Sequence, residues 1–152
     1  MADDAVTLRP CEARDVPSLV QIDANSPGGG WQREAFEQEL GLAWSRTVVA
    51  EADDEVVGFA VYWVVAGELE LLNVAVHPSA RRRGIGRRLV QHLADEARRL
   101  GGTRILLEVR YGNTGARALY EALGFVESGV RKGYYDGGGE DAVLMEWPLA
   151  PG

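Results

Sequence analysis

An apolar, β-branched run, Leu71-Leu72-Asn73-Val74-Ala75-Val76, passes through His77-Pro78-Ser79-Ala80 into Arg81-Arg82-Arg83-Gly84-Ile85-Gly86-Arg87-Arg88, and this stretch constrains the chain more than any other. The run reads as a buried strand. Pro78 removes a ladder donor and restricts the residue before it, so pairing should stop at His77. Beyond the arginines, Ile85, Leu89, Val90, Leu93, Ala97 and Leu100 fall on one stripe and predict a long helix. A strand therefore feeds a short basic glycine loop that opens a helix. Such a loop presents bare backbone N–H groups, and the helix dipole adds about half a positive charge there. Glycines at 84 and 86 let a ligand approach the backbone closely. The stretch predicts an anion cradle for a phosphate-bearing cofactor.

Two familiar cradles do not fit. A dinucleotide fingerprint needs a third glycine at position 89, which is Leu89, and a Walker loop needs a Gly-Lys-Ser/Thr that the chain lacks. What remains is Arg81-x-x-Gly84-x-Gly86 after a strand ending Val-Ala-Val. This resembles the acetyl-CoA signature of the GNAT N-acetyltransferase superfamily. The resemblance implies acetyl-CoA as co-substrate. It implies that the strand backbone at Val74, Ala75 and Val76 contacts it, and that Arg81 begins the signature. Arg82, Arg83, Gly84, Ile85, Gly86 and Arg87 would form the pyrophosphate loop.

Charge sharpens the reading. The net charge is −7, which argues against general nucleic-acid binding, yet seven of the 16 basic residues lie between Arg81 and Arg99. An acidic chain that gathers arginines at one glycine loop should meet a compact anion there. Cys11 is the only cysteine and His77 and His92 the only histidines, so neither a disulfide framework nor a metal site is expected. Cys11 reads as a small buried residue at a strand end. No segment approaches 18 apolar residues and Met1-Ala2-Asp3-Asp4 is unlike a signal peptide, so a cytoplasmic enzyme with no membrane partner is expected.

The remaining elements follow from periodicity and turn residues. Val6-Thr7-Leu8-Arg9 should be a strand closed by Pro10. Asp15 should cap a helix whose apolar face is Val16, Leu19, Val20 and Ile22. Residues Asn25 to Gly30 break the chain, and a short helix with Phe36 and Leu40 follows Trp31. Thr47–Ala50 and Val56–Val65 should form a hairpin around Asp53-Asp54, and Ala66-Gly67 should turn into the strand Glu68 to Val76. After Gly101-Gly102 come a strand, Arg104–Val109, and a helix, Ala116–Leu123, stopped by Gly124. Phe125–Val130 and Ala142–Trp147 should make a last hairpin around Tyr134-Tyr135 and Gly137-Gly138-Gly139. This order implies one α/β (α+β mixed) domain over residues 1–152, with a central mixed sheet of about seven strands and helices on both faces.

Glu108 lies near the end of an apolar strand, where a desolvated carboxylate could act as a base near neutral pH; an ion pair with Arg110 or Arg104 is the plain structural alternative. Tyr120 sits at helical spacing with Ala116 and Leu119, as a core aromatic would. Asn113 could be an ordinary helix cap. A wider resemblance gives these residues roles. Leu107-Glu108-Val109-Arg110, Asn113, Tyr120-Glu121, Gly124-Phe125, Arg131-Lys132-Gly133-Tyr134-Tyr135 and Gly139-Glu140-Asp141-Ala142-x-x-Met145 recur in the order seen in bacterial ribosomal-protein-alanine N-acetyltransferases of the RimI type. It implies Glu108 as proton acceptor, Tyr120 as proton donor to the departing thiolate, and Asn113 as a cofactor contact. It covers residues 71 to 148, and in the first half it extends in layout to Trp31.

One departure stands out: Gly28-Gly29-Gly30 precedes Trp31 where that family usually has Pro-Trp. Trp31, Tyr134 and Tyr135 are candidates for the acceptor wall, since aromatics can line a narrow slot and offer a polar edge. The expected reaction is direct acetyl transfer to the α-amine of a protein N-terminus, in that family the alanine of a ribosomal protein. A small-molecule amine acceptor and a non-catalytic acetyl-CoA-binding module are the alternatives, although mere binding would require neither Glu108 nor Tyr120. Oligomeric state is left open by these motifs.

Overall fold

Turn chemistry and alternation build the first half of the sheet. In the computed structural model, which describes residues 6–26 and 30–149, strand β1 (Thr7–Pro10) pairs antiparallel with β2 (Ser45–Ala52). β2 pairs in turn with β3 (Glu55–Val65), and β3 with β4 (Glu68–Val76). The β2–β3 turn places Asp53 and Asp54 at φ 53° and 65°, the doubly left-handed geometry whose twist suits a two-residue hairpin. Between β1 and β2 lie α1 (Val16–Ala24) and α2 (Arg33–Leu40).

The Pro78–Ala80 turn then leads to α3 (Ile85–Arg99), β5 (Arg104–Arg110) and α4 (Thr114–Leu123). The chain ends in the hairpin of β6 (Val126–Tyr135) and β7 (Glu140–Pro148). Among the described residues, seven strands form one sheet in the order β1-β2-β3-β4-β5-β7-β6, mixed as expected because only β4 and β5 run parallel. The last strand is inserted between β5 and β6, an order that hairpin logic along the chain does not reveal.

Each face of the sheet carries a core. On one, α3 and α4 pack Ile85, Leu89, Leu93, Ala97 and Ala116, with Phe125 just after α4, against Ala60, Leu71, Val74, Ile105 and Met145. On the other, α1 and α2 pack Val16, Leu19, Ile22 and Phe36 against Val49, Phe59, Val61 and Ala75. Burying each large apolar side chain is worth about 1.5–3 kcal/mol, so these two layers hold the helices in place. α3 can lie close to the sheet because a Cβ on Gly58 of β3 would come within 3.2 Å of Ile85 Cγ2 and of the Ala75 carbonyl.

Several expectations change in detail. Asp15 does not cap α1: its carboxylate accepts bidentate bonds from Arg9 at 2.8 and 3.0 Å and the Glu12 N–H at 2.8 Å, so it closes the turn before the helix. Leu100 is no part of the buried stripe of α3; it lies just beyond the helix and is 45% exposed, because Gly101 turns the chain there. Tyr134 and Tyr135 belong to β6 and do not form its loop, since pairing with β7 continues to Tyr135↔Glu140. Pro27, Gly28 and Gly29, including most of the glycine run before Trp31, lie outside the described residues.

Candidate active site

Backbone conformation makes the cradle. Arg82 and Gly84 both have positive φ, 69° and 74°, and Gly84 is the residue from which α3 starts. Nothing stands within 4 Å of a Cβ at Gly84, so glycine is favoured there by conformation alone. The first N–H groups of α3 have no partner within the helix, and they open onto a cavity of about 460 Å³. Val74, Ala75, Val76, Arg81, Arg82, Gly84, Ile85, Gly86 and Arg87 line it from one side, with Leu119, Ala122 and Leu123 of α4 opposite. A Cβ at Gly86 would stand 3.3 Å from Leu123 Cδ2, so its hydrogen lets α3 and α4 close around the cavity.

The arginines divide by role. Arg81 donates to the Val76 carbonyl at 3.2 Å and the Asn25 carbonyl at 3.0 Å, tying the end of β4 to the end of α1. Arg82 and Arg87 are exposed at the cavity. Arg88 reaches away, donating to the Val6 carbonyl at 2.8 Å. Arg83 and Asn113 are not among the cavity-lining residues, and the Asn113 side chain accepts the Ala116 N–H at 3.1 Å as an α4 cap.

The sheet opens beside the cavity. β4 and β5 are in parallel register for only two pairs, Leu69↔Ile105 and Glu70↔Leu106. Beyond these pairs the edge of β4 that carries Val74 to Val76 has no ladder with β5. An irregularity in the β3–β4 ladder leaves Leu72 as the extra residue, because Tyr62 faces Leu71 and Val61 faces Asn73. The bulge changes which β4 side chains face each layer: Leu71 and Val74 join the α3 side, while Ala75 joins the α1 side.

Glu108 alternates with the buried Leu107 and Val109 and so faces away from α3. Its neighbour is neither Arg104 nor Arg110, which pair with Glu146 and Glu140 at 3.0 Å each; it is Arg131 of β6, at 3.4 Å. Burial, then repulsion from Glu108, raises the pKa of Glu70 on β4, so two carboxylates flank the opening. Tyr135 feels the same site: burial first, then the charge of Glu108, raises its phenol, while the Arg110 guanidinium lies 4.2 Å over its ring. Tyr134 stacks edge-on against Tyr135 at 5.0 Å and carries Arg131 at 4.9 Å from its ring centre.

Tyr120 does not line the cavity; it is 9% exposed and packs edge-on against Phe125 at 6.0 Å. Burial, then the charge of Asp23 and the proximity of Tyr135, pushes its phenol up to about 12. It therefore stays protonated near neutral pH, the state a proton donor needs. Trp31 packs on Phe36 at 5.1 Å, under the α1 layer. Cys11 is half-buried, and burial pushes its thiol up to about 11, so it is not a thiolate nucleophile.

Sequence reasoning missed three residues whose partners lie across the fold. Asp23 is 1% exposed on the buried face of α1, and its spacing from Val16 and Leu19 could have marked it as an acid on an apolar stripe. Asn73, at the bulge, donates to Asp23 at 2.9 Å. Arg131 had no local signal, since it reaches Glu108 across a strand. Among the described residues, no group of His, Cys, Asp and Glu could hold a metal ion.

A mixed sheet parted along one parallel pair, with a glycine loop and a cavity at the head of the helix beside it and a carboxylate on the strand across the gap, is the framework of an enzyme that takes a phosphate-bearing donor. The family model described as Acetyltransferase (GNAT) family matches residues 16–125, and the chain belongs to that family. It is 38% identical over 146 residues to the ribosomal protein bS18-alanine N-acetyltransferase of Salmonella typhimurium, covering 95% of this chain and 98% of that one. It is 34% identical over 148 residues to the N-alpha-acetyltransferase RimI of Mycobacterium tuberculosis, covering 93% and 92%. The crystal structure of the ribosomal-protein-S18-alanine N-acetyltransferase from Escherichia coli superimposes with a TM-score of 0.77 at 34% identity, over 97% of this chain and 96% of that one.

Proposed function

We propose that this acetyltransferase transfers the acetyl group of acetyl-CoA to the α-amine of an N-terminal alanine on a ribosomal protein, in the cytoplasm, and that residues 1–152 act as one domain. The observation that carries the reading is the parting of β4 and β5 beyond Glu70 and Leu106. It leaves the anion cradle at the C-terminal end of β4 and Glu108 toward the C-terminal end of β5. Ligands of open α/β sheets bind outside those ends. The acceptor is drawn from the alanine N-acetyltransferases to which the chain is similar over nearly their whole length.

Acetyl-CoA supplies an acetyl thioester with a thiolate leaving group. The N–H groups of Gly84 to Arg87, with the Arg82 and Arg87 side chains, fit its pyrophosphate, and the narrow apolar gap between α3 and α4 admits a slender arm. The backbone edge at Val74 to Val76 has no ladder with β5, and apart from the Val76 carbonyl that Arg81 engages it can pair with that arm and donate to the thioester oxygen. Glu108, through water, accepts the proton that the amine loses as the N–C bond forms. Tyr120 donates its hydroxyl proton to sulfur as the C–S bond breaks. Asn113 keeps its capping bond and orients the start of α4 toward the cofactor. Trp31, Tyr134 and Tyr135 wall the acceptor side.

Proton arithmetic favours an α-amine. Its pKa is about 7.7–8.0 against about 10.4 for lysine, so neutralisation at pH 7 costs roughly 1 kcal/mol against about 4.6. The test is a pair of peptides, one with a free N-terminal alanine and no lysine, the other blocked at its N-terminus with an internal lysine. Intact mass after incubation with acetyl-CoA should show acetylation of the first. Faster acetylation of the blocked peptide would overturn the assignment.

A further inference from the structure

Asp23 stands where the cofactor site requires no carboxylate and where its own helix does not favour one. It occupies the last turn of α1, whose dipole opposes negative charge, and it is 1% exposed. A buried carboxylate persists only when its oxygens are well bonded. Here Oδ2 accepts the N–H groups of Gly30 and Trp31 at 2.9 and 2.8 Å, while Oδ1 accepts the Asn73 amide at 2.9 Å. Two successive backbone donors on one oxygen hold the main chain at Gly30 and Trp31. The third bond fastens that point to β4 beside the extra residue, Leu72. The Trp31 ring is held from beneath by Phe36, which itself lies edge-on to Phe59 at 5.4 Å. The charge of Asp23 also acts on Tyr120.

We propose that Asp23 is a positioning residue for the acceptor: it locks the Gly30-Trp31 backbone to the β4 bulge and so fixes the Trp31 wall against which the incoming N-terminus is placed. The proposal rests on the reading of Trp31 as acceptor wall. It sets Asp23 apart from the cofactor machinery, because none of its three bonds involves a residue of the anion cradle. Charge-assisted bonds are roughly twice as strong as neutral ones, so Asp23→Asn, which keeps the shape, should loosen the segment without emptying the space.

Steady-state kinetics with acetyl-CoA and an alanine-start peptide test it. Asp23→Asn should raise the peptide KM about threefold or more, and Asp23→Ala about tenfold or more, each with the acetyl-CoA KM within about twofold of wild type. Trp31→Ala should raise the peptide KM similarly, and the Asp23→Ala, Trp31→Ala double variant should be no worse than the weaker single variant. If Asp23→Ala does not fold, Asp23→Asn alone and combined with Trp31→Ala carries the same comparison. An unchanged peptide KM, an equal rise for both substrates, or additive effects in the double variant would overturn the proposal. Absence of peptide turnover by the wild type would overturn the acceptor reading and this proposal with it, an outcome distinct from the others.

Discussion

Glu108 of β5 and Arg131 of β6 form an ion pair across the intervening strand β7, with Oε1 and Nη2 3.4 Å apart. The guanidinium is 52% exposed and the carboxylate 23%, so the pair is weak and leaves the carboxylate available for proton transfer. Glu108→Gln should keep acetyl-CoA affinity and slow turnover by about 10²–10⁴-fold, the usual worth of general acid–base catalysis. Arg131→Met should change turnover by about fivefold at most, in line with about 1 kcal/mol for an exposed pair. Turnover of Glu108→Gln within a factor of about two of wild type would reduce Glu108 to the ion pair alone.

Tyr120→Phe should also lower turnover about 10²–10⁴-fold, from the leaving-group side. The sign of its pH dependence follows from the raised phenol, at about 12. The donor form persists while pH stays below that value, so wild-type turnover should show no alkaline fall from this group below about pH 11. An alkaline fall centred near pH 9 that vanishes in Tyr120→Phe would show the phenol lowered and not raised, while a Tyr120→Phe rate within a factor of about two of wild type would count against the donor assignment.

Gly84→Val places a β-branched residue at φ 74°, a conformation worth about 1–3 kcal/mol of strain. The fold should survive, since nothing crowds the new side chain, whereas the loop will shift or the valine will cover the cradle. Calorimetry should detect no CoA binding by a protein whose circular dichroism spectrum is unchanged. Undiminished CoA affinity would remove the cradle from the mechanism.

Asp15→Ala should destabilise the protein by about 1.5–3 kcal/mol, because it removes a 6%-exposed carboxylate from Arg9 and leaves that guanidinium with Glu51 and the Pro10 carbonyl. Bonding to Arg9, and then to the Glu12 N–H, holds the Asp15 carboxyl below its ordinary range. The stability it provides is therefore present above the unfolded-state pKa of about 3.9 and lost as pH falls through the lower folded value. Urea unfolding at pH 7 and at about pH 3 should show the variant's deficit shrinking in acid.

Local rules carried the sequence reading far. The strand, basic loop and helix around Gly84 were legible because each depends on residues a few positions apart: periodicity, proline, and glycine where φ is positive. The β2–β3 turn at Asp53-Asp54 and the stop at Gly124 were legible for the same reason. Local pattern also offered Glu108 as a candidate base, whereas Tyr120 read locally as a core aromatic and became a candidate only through resemblance. Only tertiary structure decided what depends on partners distant in the chain. The insertion of β7 between β5 and β6 brought Arg131 to Glu108, which local spacing had offered to Arg104 or Arg110. The parting of β4 from β5 and the bulge at Leu72 arise from sheet register, which no single strand encodes. Asp23 looked like one more polar residue of a short helix until folding set Gly30, Trp31 and Asn73 around it, because the partners of a buried charge are chosen by packing across the chain.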